Sequence, residues 1–347
     1  MRVKRNKNLT IFIYIGILIV GIGLIVFLIS SKPKPTYSDR VYDVLGTVVN
    51  IKVAGEKVSA ETLLDIAGKE LDRIHNKFST NVESSVVNQL NENGEIQVDE
   101  ESLFLFQSSL NLAQITGGAF DPTIRPVIKL WGFDDSEAKK RVPSEDEIME
   151  ELDLVSYKFV EIDEKNSTVS FVKQGVQIDL GGIAKGYAVD RVIKRIKQVD
   201  PSASGFIEAG GDVGVIGPKY NSLPWVIGLR DPFSTNPYNY IEKIYLKTGS
   251  VVTSGNYERY FMQDGERYHH LIDPDTGYPA RGVASVTVIA DSAMIADAYS
   301  TALFILGFDN PALDYYEEEF GVQAYLVSKE NEIRQTDGFD YFKDKGR

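Results

Sequence analysis

Gln177-Ile178-Asp179-Leu180-Gly181-Gly182-Ile183-Ala184-Lys185-Gly186 runs from a short apolar stretch through paired glycines into a helix-forming segment. Its pattern predicts a strand over Val176 to Leu180 and a helix continuing to about Val199. Strand, glycine pair and helix start form an arrangement that brings backbone N–H groups close to an anion. The segment holds neither G-x-G-x-x-G nor the Lys-Ser/Thr of a P-loop, so neither standard nucleotide fingerprint applies. The plainer alternative is a tight strand-to-helix turn with a solvated Lys185.

Outward from this segment, elements of both kinds recur. Upstream, the β-rich pattern of Val41 to Val53 predicts a first strand. Leu63, Ala67, Leu71, Ile74 and Phe78 form one helical stripe, predicting a helix over Ala60 to Phe78. Glu101 to Ile115 reads as another helix, stopped by Gly117-Gly118, and Ser144 reads as the N-cap of a short acidic helix to about Leu154. Phe159–Ile162 and Thr168–Val172 flank a turn and predict a hairpin. Downstream, strands are expected at Trp225–Leu229, Ile241–Leu246 and Val283–Ala290. A long helix follows from Ser292 to Leu306, ended by Gly307. Without a regular βαβ alternation, the expected class is α+β, one body of sheets and helices, and not a doubly wound sheet.

Composition narrows the function classes. The chain has 347 residues, 43% of them hydrophobic and 25% charged, enough for a sizeable core and unlike a disordered chain. Six of the 37 basic residues lie in residues 1–34 with no acidic one, leaving 31 basic against 50 acidic residues, a net of −19, in the remainder. Such a body repels nucleic acid. The absence of Cys removes disulfides, thiolate nucleophiles, zinc-thiolate sites and Fe–S clusters, and with them a lipidated N-terminal Cys.

Ile11 to Ile29 is an uncharged apolar run that spans about 28 Å as a helix at roughly 1.5 Å per residue, close to the thickness of a bilayer core. Arg2, Lys4, Arg5 and Lys7 precede it, which predicts a cytoplasmic N-terminus and an exported body. The rival is a cleaved signal peptide, to which Leu28-Ile29-Ser30-Ser31-Lys32 is a poor match. The expected organisation is a basic N-terminus (1–10), a transmembrane anchor (11–30), a stiff linker (31–39) and an extracytoplasmic catalytic domain (40–347) in the cell membrane.

Further segments could carry chemistry. Met294 to Leu303 is apolar almost all round, which predicts a buried helix, with Asp297 and Thr301 on one face. A buried carboxylate needs a partner cation. These oxygen donors suit Mg²⁺; the alternative pairs Asp297 with an Arg and bonds Thr301 back to its helix. In Tyr268-His269-His270-Leu271-Ile272-Asp273-Pro274, strand alternation sends the two histidines to opposite faces. That argues against a two-His metal site and leaves one of them as a general base or a structural residue. Thr116–Thr123, Glu208–Asp212 and Thr253–Tyr260 add glycine-rich turns, and close backbone approach in several loops suits a large ligand.

Taken in order, these segments resemble the ApbE family, the FAD:protein FMN transferases, from about Leu45-Gly46-Thr47 to Leu306-Gly307. The most specific stretches are Asp179–Asp190, Thr253–Phe261, His270–Pro274 and Ser292–Thr301. The resemblance implies a membrane-anchored flavin transferase of α+β fold. It would use Mg²⁺ to cleave FAD, attach FMN through a phosphoester to a Thr hydroxyl of an acceptor flavoprotein, and release AMP. It also implies that Asp297, Thr301, the Gly182 carbonyl and Ser300 hold the metal, and that His270 is the base. Leu45 (at a position usually Met), Ala119, Phe120, Asp121, Asp179, Lys185 and Leu271 would line the FAD site. Asn81 stands where the family often has a flavin-stacking aromatic, so either another ring substitutes or flavin affinity is lower. Two alternatives remain: an FAD pyrophosphatase giving FMN and AMP, in which water replaces the hydroxyl, and a membrane-tethered flavin-binding carrier. A flavinylated carrier should hold the acceptor motif Asp-x-x-Ser/Thr-Gly-Ala-Thr, and no such run is present.

Overall fold

Val283–Ala290 is buried at every position but its last, as a strand packed on both faces must be. It lies inside a large sheet in a computed structural model that describes residues 35–134 and 139–344, together with Leu18 and Gly21. The chain divides into two units, Met1–Thr36 and Tyr37–Arg347. In the first, Leu18 and Gly21 are helical. The rest of the expected anchor over 11–30, all of 1–10, and residues 31–34 of the linker lie outside the described residues. Among the described residues, no helix is long and apolar enough to cross a membrane.

In the second unit the strands are β1 (Ser38–Val44), β2 (Thr47–Ala54), β3 (Glu95–Gln97), β4 (Val160–Asp163), β5 (Thr168–Phe171), β6 (Ser204–Ala209), β7 (Asp212–Gly217) and β8 (Trp225–Arg230). They continue with β9 (Tyr240–Leu246), β10 (Ser250–Gly255), β11 (Tyr260–Gln263), β12 (Glu266–His269), β13 (Val283–Ala290), β14 (Gln323–Ser328) and β15 (Ile333–Gln335). The main sheet has the order β1-β2-β6-β7-β10-β13-β14-β15, and every neighbouring pair in it is antiparallel. That is the α+β organisation expected from the element order.

The period-two pattern separates two cores. On one face, Val252, Val288, Ala324 and Leu326 pack with Leu63 and Leu71 of the Ala60–Phe78 helix, Ile183 and Val192 of the Gly181–Val199 helix, and Leu303 of the Ala293–Leu306 helix. On the other, Val251, Ile289, Tyr325 and Val327 meet Leu229, Ile244 and Leu246 of the β8–β9 hairpin and Phe339. A smaller cluster, Val127, Trp131, Phe133, Ile148 and Ile272, sits beside the helix face.

Local signals account for the helices. Ser59 caps the first, its side chain accepting from Thr62 N, and the predicted stripe is buried. Ser144 and Glu147 form a capping box at Glu145–Leu152. The Gly181–Val199 and Ala293–Leu306 helices touch at Gly186, where an added Cβ would lie 2.2 Å from the Ala293 carbonyl oxygen. Asp190 fastens the same crossing by accepting from Ser292 Oγ (2.6 Å), Ala293 N (2.8 Å) and Met294 N (3.0 Å). The Ala293 helix, and with it Asp297, is therefore registered against the Gly181 helix.

Two strand expectations are corrected. Val41 to Val53 is two strands, β1 and β2, because Leu45 and Gly46 both adopt positive φ (59° and 67°) and reverse the chain. Val176 to Leu180 is no strand. Its backbone is satisfied elsewhere: Ile178 N donates to Asn91 Oδ1 (2.7 Å), Ile178 O accepts from Asn91 Nδ2 (2.9 Å), and Asp179 N donates to Pro122 O (2.8 Å).

Candidate active site

The helix-side ends of these elements enclose a cavity of about 910 Å³. The β1–β2 turn brings Leu45, the chain after the first helix brings Asn81, and the turn at Gly117-Gly118 brings Ala119, Phe120 and Asp121. Asp179, Gly182 and Lys185 come from the start of the Gly181 helix, His270 and Leu271 from the end of β12, and Asp297 and Thr301 from the Ala293 helix. Every site residue expected from the sequence lines this cavity except Ser300. That residue is buried behind it, donating to Asp297 O (2.9 Å) and sharing a hydrogen bond with Ser254 Oγ (2.8 Å).

The charged centre is built by three side chains. Lys185 Nζ lies 3.0 and 3.1 Å from the two Asp297 carboxylate oxygens and 3.3 Å from Asp212 Oδ2. Asp297 Oδ2 also accepts from Gly186 N (3.1 Å). The cation that the buried Asp297 needs is thus Lys185, neither a solvated lysine nor an arginine partner. Asp297 and Asp212 are 2% and 1% exposed. Burial disfavours the Lys185 ammonium, but the two carboxylates outweigh that and raise its pKa above the ordinary lysine value. Burial and the charge of Asp297 push Asp212 well above the usual carboxylate range, and Asp212 Oδ2 makes no hydrogen bond. Two carboxylates facing one ammonium leave the centre short of positive charge. Asp212 was assigned no role in the sequence; its signal was its place after Gly210-Gly211, both at positive φ.

The two histidines separate as alternation predicts. His269 is buried, its Nε2 3.0 Å from Ala280 O and its ring edge-on to Phe304. Burial lowers its pKa to about 4. His270 opens onto the cavity, with Nδ1 3.2 Å from the Arg259 carbonyl oxygen. A carbonyl only accepts, so Nδ1 carries the proton and Nε2 keeps its lone pair. Desolvation of the ring, followed by the charge of Arg259, brings its pKa down to about 3, so His270 is a neutral base at pH 7.

Other polar groups serve the frame. Asp121 accepts from Thr123 N, Thr123 Oγ1 and Tyr157 N, and so holds the Phe120 turn in place. Asp179 accepts from Gly181 N across the glycine turn and pairs with Arg125 at 3.4 Å. Besides His270, the cavity is lined by the rings of Phe78, Phe120 and Phe133, which are almost wholly buried, and of Tyr260, which is 41% exposed with Arg267 on its face. Tyr260 is thus the ring available to a planar ligand where Asn81 offers none.

A cavity walled by glycine turns, a carboxylate–ammonium centre and one neutral imidazole coincides with the segments whose order resembled a known family. The ApbE family profile matches residues 45–326. The chain belongs to the ApbE family. An FAD:protein FMN transferase of Treponema pallidum (strain Nichols) is 31% identical over 96% of this chain and 95% of its own length. That of Haemophilus influenzae is 32% identical over 78% of each. The crystal structure of the ApbE protein of Thermotoga maritima superposes with a TM-score of 0.85 at 45% identity, covering 89% of this chain and all of that one. The apo flavinyl transferase ApbE of Pseudomonas stutzeri gives 0.78 at 29% identity, over 91% of this chain and all of its own.

Among the described residues, no group of three or more His, Cys, Asp or Glu could hold a metal ion. The donors at the ApbE cavity are instead hard oxygens: Asp297, Thr301 and the backbone at Gly182, whose added Cβ would stand 3.6 Å from Thr301 Oγ1. With the unbonded Asp212 oxygen alongside, this set fits a small divalent cation that completes its shell with water and phosphate oxygens.

Proposed function

We propose that the protein is a Mg²⁺-dependent FAD:protein FMN transferase, moving FMN from FAD to a threonine hydroxyl of an acceptor flavoprotein and releasing AMP. The observation that carries this reading is the pairing, across one cavity, of the neutral imidazole of His270 with the Asp297–Lys185–Asp212 centre. The names of the relatives and the family membership supply the substrate.

His270 Nε2 takes the proton of the acceptor hydroxyl while Nδ1–H stays on the Arg259 carbonyl, which fixes the ring and its tautomer. The threonine oxygen then bonds to the FMN phosphorus as the bridging P–O bond breaks, and AMP leaves carrying the electron pair. Asp297, Thr301 and the Gly182 carbonyl would hold Mg²⁺, with Ser300 bracing Asp297 from behind. Bound Mg²⁺ neutralises charge on the pyrophosphate oxygens. Lys185 contributes a second positive charge, which lets a body of net −19 accept an anionic dinucleotide. Leu45, Asn81, Ala119, Phe120, Asp121, Asp179 and Leu271 shape the FAD pocket. The acceptor carries an Asp-x-x-Ser/Thr-Gly-Ala-Thr type motif, and Ile11–Ile29 tethers the catalytic domain to the outer side of the cell membrane.

The test is chromatography of FAD, FMN and AMP after incubation with FAD and Mg²⁺, with and without acceptor. AMP released in step with acceptor, without free FMN, supports transfer. Equal free FMN and AMP make the protein a pyrophosphatase, and intact FAD makes it a flavin binder.

A further inference from the structure

Asp297 is heavily engaged before any divalent cation reaches it. Both of its oxygens lie within 3.1 Å of Lys185 Nζ, and Oδ2 also accepts the Gly186 N–H. An ammonium held on both oxygens stands where a hard cation would bind, and two cations on one carboxylate repel each other strongly in a buried site. Directly beside the ammonium is a second carboxylate oxygen, paired with it by charge but not by a hydrogen bond: Asp212 Oδ2, 1% exposed, 3.3 Å from Nζ. Asp212 cannot drift, because it starts β7 and is paired with Ala209 on one side and Val252 on the other. Lys185 has the longer side chain of the two, rising from the second turn of the Gly181–Val199 helix.

We propose that Lys185 and the divalent cation occupy the Asp297 carboxylate in turn, and that Asp212 is the positioning residue that receives the ammonium when the cation takes Asp297. In the empty site Lys185 offsets the charge of Asp297, and cation entry costs a short side-chain displacement in place of an ammonium stranded in a buried pocket. Moved onto Asp212, Lys185 remains in the cavity as a charge for the substrate. The inference rests on the reading that a divalent cation works at Asp297.

The experiment is Mn²⁺ binding measured by electron paramagnetic resonance, without FAD, on the full chain, D212N, K185M and the double variant. K185M removes the competitor and should bind Mn²⁺ more tightly than the unsubstituted protein. D212N strands the ammonium on Asp297 and should weaken Mn²⁺ binding about tenfold, within the usual range for coupled sites. In the K185M background the same D212N change should have no effect. Equal weakening by D212N in both backgrounds would overturn the proposal, because Asp212 would then act on the cation directly; so would no weakening in either. If D212N does not fold, K185M decides alone: weaker Mn²⁺ binding than in the unsubstituted protein overturns the exchange. No Mn²⁺ bound by any form would instead remove the cation reading on which the proposal rests.

Discussion

Gly186→Ala is a one-methyl change whose effect can be worked through from helix packing to turnover. The added Cβ would lie 2.2 Å from the Ala293 carbonyl oxygen, 2.5 Å from its carbon and 2.7 Å from Met294 N. All three are backbone atoms, so no side chain can rotate away. Restoring an ordinary contact requires the two helices to part by roughly 1 Å, an overpacking strain of about 1–3 kcal/mol. Ala is better than Gly inside a helix by about 1 kcal/mol, which offsets part of this. The net expectation is a loss of up to about 2 kcal/mol in urea unfolding. Activity should suffer more. The same crossing carries the Gly186 N–H to Asp297 Oδ2 and sets Asp297 against Lys185. A displacement of about 1 Å in a positioned group can cost on the order of 10²-fold in rate. Urea denaturation and FMN-transfer turnover, measured on the same preparation, check both parts. Unchanged stability with turnover within twofold would refute the claim that this contact registers the site.

Other expectations follow from single residues. His269 has a folded pKa of about 4, below its ordinary value of 6.5, so the unfolded chain takes up a proton first as the pH falls. Stability should therefore decline below about pH 6.5, by roughly 3 kcal/mol on reaching pH 4. His269→Gln, which does not titrate, should flatten that part of a denaturation-against-pH curve; an unchanged curve would count against the assignment. His270→Ala should keep FAD affinity while turnover falls about 10²–10⁴-fold. With His270 at about 3, the turnover of the unsubstituted protein should show no inflection near pH 6.5, and finding one there would contradict the depressed value. Asp297→Asn should abolish Mg²⁺-dependent transfer, and near-normal rates at saturating Mg²⁺ would sink the metal assignment.

What was legible in the sequence was local. The Ala60–Phe78 helix announces itself by its apolar stripe, and Glu145–Leu152 by its Ser144 cap. The β1–β2 reversal was hidden because Leu45-Gly46 lacks the Asn-Gly or Asp-Gly signature of a two-residue hairpin turn. Val176–Leu180 has the apolar character of a strand, but its partners are the side chain of Asn91 and the carbonyl of Pro122, both distant in sequence. The order of the main sheet was equally out of reach, since it depends on pairings such as β2 with β6 across about 150 residues. At the site, the motif residues converge on one cavity, yet two details needed coordinates. A lone Asp after a glycine pair reads as a turn, so Asp212 emerged only as the second carboxylate at Lys185. Ser300 shares a helix with Asp297 and Thr301 but is fully buried, hydrogen-bonded to Ser254 Oγ, and does not line the cavity.

The central claim is that this cavity transfers FMN to a protein. Intact-mass spectrometry of an acceptor-motif protein incubated with the full chain, FAD and Mg²⁺ tests it most directly. The account predicts the mass of one FMN added to the acceptor, absent when the metal is chelated and absent when the motif Thr is replaced by Ala. An unmodified acceptor alongside accumulated FMN and AMP, or alongside intact FAD, would contradict it.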